Sequence, residues 1–333
     1  MPSAHDGREG NRRSRLLRFL SLVAGLVAVL GLPLFLPSWL QGLMTRILVN
    51  AIFAISLDLI FGYTGLVSLG HAGYLGVGGY TVGLLMARYG LRSLWVTAPA
   101  GVFAAALGAA VFGLVALRTS GVSFMLITFA LTQLLYSIAL KWDWLTTGGT
   151  EGITGIVRPE LGIAGFHWNP LLFYYFVLLA FVLCYLVLRS VTRSSFGHAL
   201  QGIRENEPRM QCLGYNTWLY KYIAFVLAGA FAGFAGVLFA YSNGIVVPAN
   251  MGIMMSGNAL FMIILGGTGT LYGPVVGAAT IGLLQFYVSD LAPARWPLVM
   301  GLVFVLTILY ARSGIAPLLL KIRKKASSQH GSA

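Results

Sequence analysis

Charge is what this chain has least of. Of its 333 residues only 9% are charged, with 9 acids against 22 Lys and Arg. A soluble domain carries about 25% charged residues, so this sequence cannot clothe a soluble surface. Cysteine is nearly absent. Cys184 lies in an apolar run and Cys212 in a polar one, which points to two unpaired packing residues and no disulfide framework. No His/Cys/Asp cluster has metal-ligand spacing, so no metal site is expected. No GxxxxGK[ST] phosphate loop, nucleophile elbow, HExxH motif or pair of carboxylates within a span occurs. No catalytic residue is therefore assigned, and an ATP-driven step would need an ATPase on another chain. The net charge of +13 would suggest nucleic acid in a soluble protein. The basic stripe and interleaved aromatics of such a binder are missing, and no nucleic-acid partner is expected.

What the chain does have is apolar length. It is 58% hydrophobic with a mean hydropathy of +0.82. Apolar runs of about 20 residues recur, the length that crosses a hydrocarbon core of about 30 Å. They do not alternate polar and apolar, which excludes a β-barrel. The expected fold is an all-α polytopic membrane protein seated in a lipid bilayer. Spans are expected at 16–36, 44–61, 66–87, 95–117, 122–140, 171–188, 222–241, 255–267, 272–289 and 296–311. That makes about ten, or eight if the short pair around GGTGTLYGP (266–274) is re-entrant. The run after the arginine-rich start is too long for a signal peptide and lacks an A-x-A site, so it reads as an uncleaved span. The organisation expected is a polar basic N-terminus (1–15), a transmembrane domain (16–312) with one polar loop (189–221), and a basic tail (313–333). Basic residues fix orientation. With both termini cytoplasmic, sixteen Lys and Arg fall inside and six outside, namely Arg46, Arg88, Arg92, Lys141, Arg158 and Arg295.

The polar loop is the one island of charge, RSVTRSSFGHALQGIRENEPRMQCLGYNTWLYKY. Phe196, Leu200 and Ile203 recur at i, i+4 and i+7, predicting a short amphipathic helix over 197–206 capped at Ser195 or its neighbour. Pro208 and Gly214 frame a second short turn, 208–213. Such a pair of helices either lies on lipid or docks a soluble partner. Glycine, with 42 residues, concentrates around the third span (Gly65 to Gly83) and in the seventh (Gly229, Gly233, Gly236). Small residues there permit close helix contact.

Four stretches carry a resemblance. They are NAIFAISLDLIFGYTGLVSLGHAGYLGVGGYTVGLLMARYG (50–90), LTTGGTEGITGI (145–156), the loop and helix FGHALQGIRENEPRMQCLGYNTWLYKYIAFVLAGAFAGFAGVLFA (196–240), and MIILGGTGTLYGPVVGAATIGLL (262–284). In this order, over roughly 45–312, the chain resembles the permeases of branched-chain amino-acid ABC transporters. Related urea and short-chain amide permeases share most of these motifs. The resemblance implies a multi-pass protein of the bacterial inner membrane that moves branched-chain amino acids into the cytoplasm. It implies a homologous permease subunit, two ABC ATPase subunits that use ATP and Mg, and an external substrate-binding protein as partners, with no cofactor on this chain itself. The polar loop would be the coupling helix, and Gly197, Ala199, Gly202, Arg204, Glu205, Asn206 and Gly214 match its pattern.

Two ionisable residues interrupt the spans. His71, in GYTGLVSLGHAGYLGVGGY, is either a pathway residue or a neutral His bonded to a backbone carbonyl. With Tyr63, Thr64, Ser68 and Gly73 it forms the candidate substrate path, where backbone groups freed by glycine could meet a zwitterion. Asp58 replaces the Asn common in the family pattern. It is either a proton relay, which would suit a stand-alone secondary transporter, or a buried acceptor for His71 or a backbone N–H. A lone acid supports the second. The outer loop 146–155, with Trp142, Trp144, Trp168 and Tyr174 nearby, reads as an interfacial aromatic belt, to which the resemblance adds contact with the binding protein.

Overall fold

The computed structural model describes residues 31, 33–141, 149–162, 168–291, 296–310 and 314. Most of the expected first span (16–36), the basic N-terminus, Trp142, Trp144, Arg295 and the basic tail lie outside them. The described helices are α1 (Ser38–Thr64), α2 (His71–Tyr89), α3 (Leu94–Ala116), α4 (Gly121–Lys141), α5 (Pro170–Arg193), α6 (Ser195–Glu205), α7 (Glu207–Cys212), α8 (Thr217–Asn243), α9 (Ile253–Gly266), α10 (Tyr272–Leu291) and α11 (Trp296–Tyr310). Five of them, α1, α3, α4, α5 and α8, are long and apolar enough to cross a membrane. The chain is a multi-pass helical membrane protein.

Several helices outrun the apolar runs that predicted them. α1 and α8 have 27 residues each, about 40 Å of helix at 1.5 Å per residue. The backbone ladder continues past the hydrocarbon edge, where polar residues end the hydropathy signal. α9 is short, as its apolar run is. Its 14 residues make about 21 Å, less than a bilayer core, and it packs against α10 and α1. Arg46, counted among the external basic residues, lies within α1, and α10 extends through Asp290.

The largest departure is the third span. Residues 65–70 are not helical, and α2 begins only at His71. α1 closes on Gly65, whose φ of 76° suits glycine, with its N–H bonded to the Ile60 carbonyl. The intervening turn is largely buried, and irregular backbone inside a membrane protein persists only where protein groups satisfy it. They do so here. Thr132 donates to the Gly70 carbonyl (2.8 Å), the Gly70 N–H bonds Ser68 Oγ (3.3 Å), and the Ala72 N–H bonds Ser256 Oγ (3.0 Å).

α1 is the core helix, with residues 51–60 all buried. α8 crosses it and packs on α2 and α3. The glycines of α8 make these approaches possible. A Cβ on Gly236 would strike the Leu75 carbonyl, one on Gly233 the Ala105 methyl, and one on Gly229 the Ala109 methyl. This is close helix contact by small residues. The ends of α8 then define two faces of the bundle. α6 and α7 lead into its N-terminus. At its C-terminus the two-residue strand β2 (Ile245–Val246) pairs antiparallel with β1 (Ile153–Thr154). Ile153 and Ile156 plug the space beside Gly83 on α2. The described residues 149–162 and Trp168 are thus a built structure. Trp168 donates to the Pro159 carbonyl (2.6 Å), and Arg158 lies 4.9 Å over the Phe173 ring.

Candidate functional site

The polar island folds as an elbow of two helices. α6 begins at Ser195, two residues before the expected start, with Ser194 at its N-cap. α7 begins at Glu207, where Asn206 Oδ1 accepts from the Arg209 N–H (3.0 Å). Gly214, with φ 86°, ends the turn. The predicted apolar stripe is real: Leu200 and Ile203 are buried, and Phe196 stacks on Tyr220 at 5.4 Å. That face is taken up by α1, α5 and α8. It is therefore not free to enter lipid, and the elbow exposes polar His198, Gln201, Glu205 and Arg209 together with apolar Leu213 and Tyr215. Lys221 of α8 pins α7 through Glu207 (2.5 Å).

The seven residues matched to the coupling pattern separate by position. Gly197 and Ala199 face the bundle. A Cβ on Gly197 would run into the backbone of Thr192, so this glycine sets the tight bend from α5 into α6. Gly202 touches Met210 of α7. Glu205, Asn206 and Gly214 lie on the exposed side. Arg204 is also exposed, but its guanidinium reaches back to donate to the Gly62 carbonyl in the last turn of α1.

That contact reaches the buried acid. Gly62 leaves no room for a Cβ between Asp58 Oδ1 and the Gly269 backbone nitrogen. Asp58 Oδ1 accepts from the Gly269 N–H at 3.0 Å, and Arg204 interacts electrostatically with Asp58. Gly269, at φ 70°, lies in the turn joining α9 and α10. So the elbow, the end of α1 and the α9–α10 turn meet at one node. Of the two donors expected for Asp58, His71 and a backbone N–H, the backbone N–H is the one found. His71 bonds Ser56 Oγ through Nε2 (2.8 Å) instead of a carbonyl, and stacks on Phe53 at 5.4 Å. Tyr63, Thr64, Ser68, His71 and Gly73 are all buried in the packed interior around the α1–α2 break.

Sequence reasoning missed a cavity of about 540 Å³ between α1, α8, α9 and α10. Its polar lining includes Arg46, Asn50, Asn243, Asn258 and Gln285. The signal was present as polar residues at helical spacing within apolar runs. Their convergence, from four helices distant in sequence, was not visible.

The profile of the family described as "Branched-chain amino acid transport system / permease component" matches residues 39–310. The chain is similar to the high-affinity branched-chain amino acid transport system permease protein LivM of Escherichia coli, at 29% identity over 90% of this chain and 75% of that protein. It is similar to BraD of Pseudomonas aeruginosa, a permease protein of the same description, at 25% over 83% and 95%. It also matches LivH of Salmonella typhimurium at 25% over 71% and 80%. No solved structure matches it. With the family profile covering most of its length, the chain belongs to the branched-chain amino acid transport system permease components.

Proposed function

We propose that this chain is one of two homologous membrane subunits of an ABC importer that carries branched-chain amino acids into the cytoplasm. Two ATPase subunits, with their ATP and Mg, dock on the cytoplasmic elbow α6–α7, and an external binding protein delivers substrate to the opposite face. The protein sits in a bacterial inner membrane with about ten spans and both termini inside. The observation that carries this reading is the elbow. The apolar stripe of α6 is spent on the bundle, and a mostly polar surface that also exposes Leu213 and Tyr215 is offered to a partner. Arg204 links it to the node of Gly62, Asp58 and Gly269. A push on α6 is therefore delivered to the end of α1 and the α9–α10 turn, the elements that flank the α1–α2 break. A charge-assisted hydrogen bond of this kind contributes about 1.5–3 kcal/mol, enough to keep the elbow and the node moving together.

The test uses the complete transporter. Glu205→Lys reverses a charge on the exposed face, and Gly202→Leu displaces Met210 and re-aims α7. Both proteins should reach the membrane, and both should hydrolyse ATP with little uptake. Unchanged leucine uptake by both variants would sink the docking assignment. Uptake of urea in place of leucine, by the unaltered transporter, would reassign the substrate.

A further inference from the structure

We infer that the cavity between α1, α8, α9 and α10 is a binding site for the zwitterionic end and side chain of an aliphatic amino acid, with Arg46 as the carboxylate anchor. This deepens the proposed function and rests on it.

The cavity lies at the face opposite the elbow. It is lined by Phe239, Ser242 and Asn243, the last turns of α8, whose first turn leaves α7. On α1 its lining residues fall at Leu43, Arg46, Ile47, Asn50 and Phe53, a single helical stripe. On α9 they fall at Met255, Asn258, Ala259 and Met262, again i, i+3, i+4, i+7. A volume of about 540 Å³ falls within the roughly 300–1,000 Å³ usual for small-molecule sites.

The lining is graded. Arg46 and Gln285 are exposed, Asn50 and Asn258 are half-buried, and Val49, Phe53, Ala259 and Met262 are buried at the inner end. Among the described residues no hydrogen bond or ion pair engages the side chains of Arg46, Asn50, Asn258 or Gln285. Charged and amide side chains on apolar membrane helices are costly against lipid and mark a substrate path when they face a cavity. A guanidinium binds a carboxylate through two parallel N–H bonds. The amide oxygens of Asn50 and Asn258 can accept from an ammonium group. The apolar inner end takes a branched aliphatic side chain without stripping a polar group of its partners. Among the described residues no acid lines the cavity, so a second cation on the substrate meets Arg46, which repels it. Phe53 forms part of this inner end and stacks on His71 behind it. The ring thus lies against both the cavity and His71, the first residue of α2.

The geometry thus predicts a site that takes leucine, isoleucine or valine, rejects lysine, and binds nothing through Arg46 that lacks a carboxylate. The test is made on cells expressing the whole transporter. Asn258→Cys should react with a membrane-impermeant maleimide added outside, above the blank set by the unaltered chain with its native Cys184 and Cys212. Leucine should slow that reaction several-fold, and lysine should not. Arg46→Ala should lower leucine uptake about tenfold or more at equal membrane levels, as for loss of one partner of a charge pair, and Arg46→Lys should restore part of it. Labelling that leucine leaves unchanged, or full uptake by Arg46→Ala, would overturn the site and mark the cavity as a lipid or subunit face. If the unaltered transporter moves no branched-chain amino acid, the functional reading falls and the site with it.

Discussion

At the scale of the residue, Asp58 is a buried acceptor for the backbone of distant Gly269. It sits in the fully buried part of α1, and Oδ1 takes the Gly269 N–H. Asn keeps an acceptor oxygen at that position and loses only the charge. Asp58→Asn is therefore expected to retain uptake, measured as leucine accumulation normalised to membrane level. Asp58→Leu should do worse, because an orphaned buried N–H costs about 1–3 kcal/mol, read as a lower melting temperature in detergent. Loss of uptake in the Asn variant at normal stability would assign the charge a role. The sequence made Asp58 and His71 conspicuous as ionisable groups in apolar runs. It could not name their partners, because Gly269 lies 211 residues from Asp58, and such pairing is set by tertiary packing. Ser56, the partner of His71, is only 15 residues away, yet an unremarkable serine in an apolar helix gives no sign that its hydroxyl faces inward.

At the scale of the element, α8 shows why glycine matters. Gly236 lies against the Leu75 carbonyl of α2, where backbone leaves no room for a side chain to swing aside. Gly236→Val should separate α2 from α8 and destabilise the bundle by about 1–3 kcal/mol, the usual cost of overpacking. The measurement is thermal unfolding, with Gly257→Ala as control, since a Cβ there meets nothing within 4 Å. Equal melting temperatures would refute the packing account. The GAFAG spacing in α8 made close contact legible, and the period of Phe196, Leu200 and Ile203 made α6 legible to within two residues of its start. The broken third span was not. Hydropathy runs smoothly from 66 to 87, whereas Gly65, at φ 76°, ends α1 for a local conformational reason and Gly70 sits where a Cβ would strike the Thr128 carbonyl, neither of which a hydropathy window registers. Whether α6 faced lipid or protein was likewise open in the sequence, since an apolar stripe states that a face is covered and not by what.

At the scale of the whole molecule, the elbow and the graded cavity occupy opposite ends of α8, and the account makes the first cytoplasmic and the second external. The sixteen-to-six bias of basic residues gives the same orientation. A reporter active only outside the inner membrane, fused after Ala333, should be silent, and an active fusion would contradict an even number of spans. The central claim is that ATP hydrolysed on partner subunits, with no ion gradient, drives a branched-chain amino acid through this chain. The direct measurement is leucine uptake into proteoliposomes holding both permeases and both ATPases, with the binding protein outside and ATP with Mg inside. The account predicts accumulation that requires ATP and the binding protein and is unchanged when a proton ionophore collapses the gradient. Uptake driven by an imposed proton gradient without ATP would contradict it.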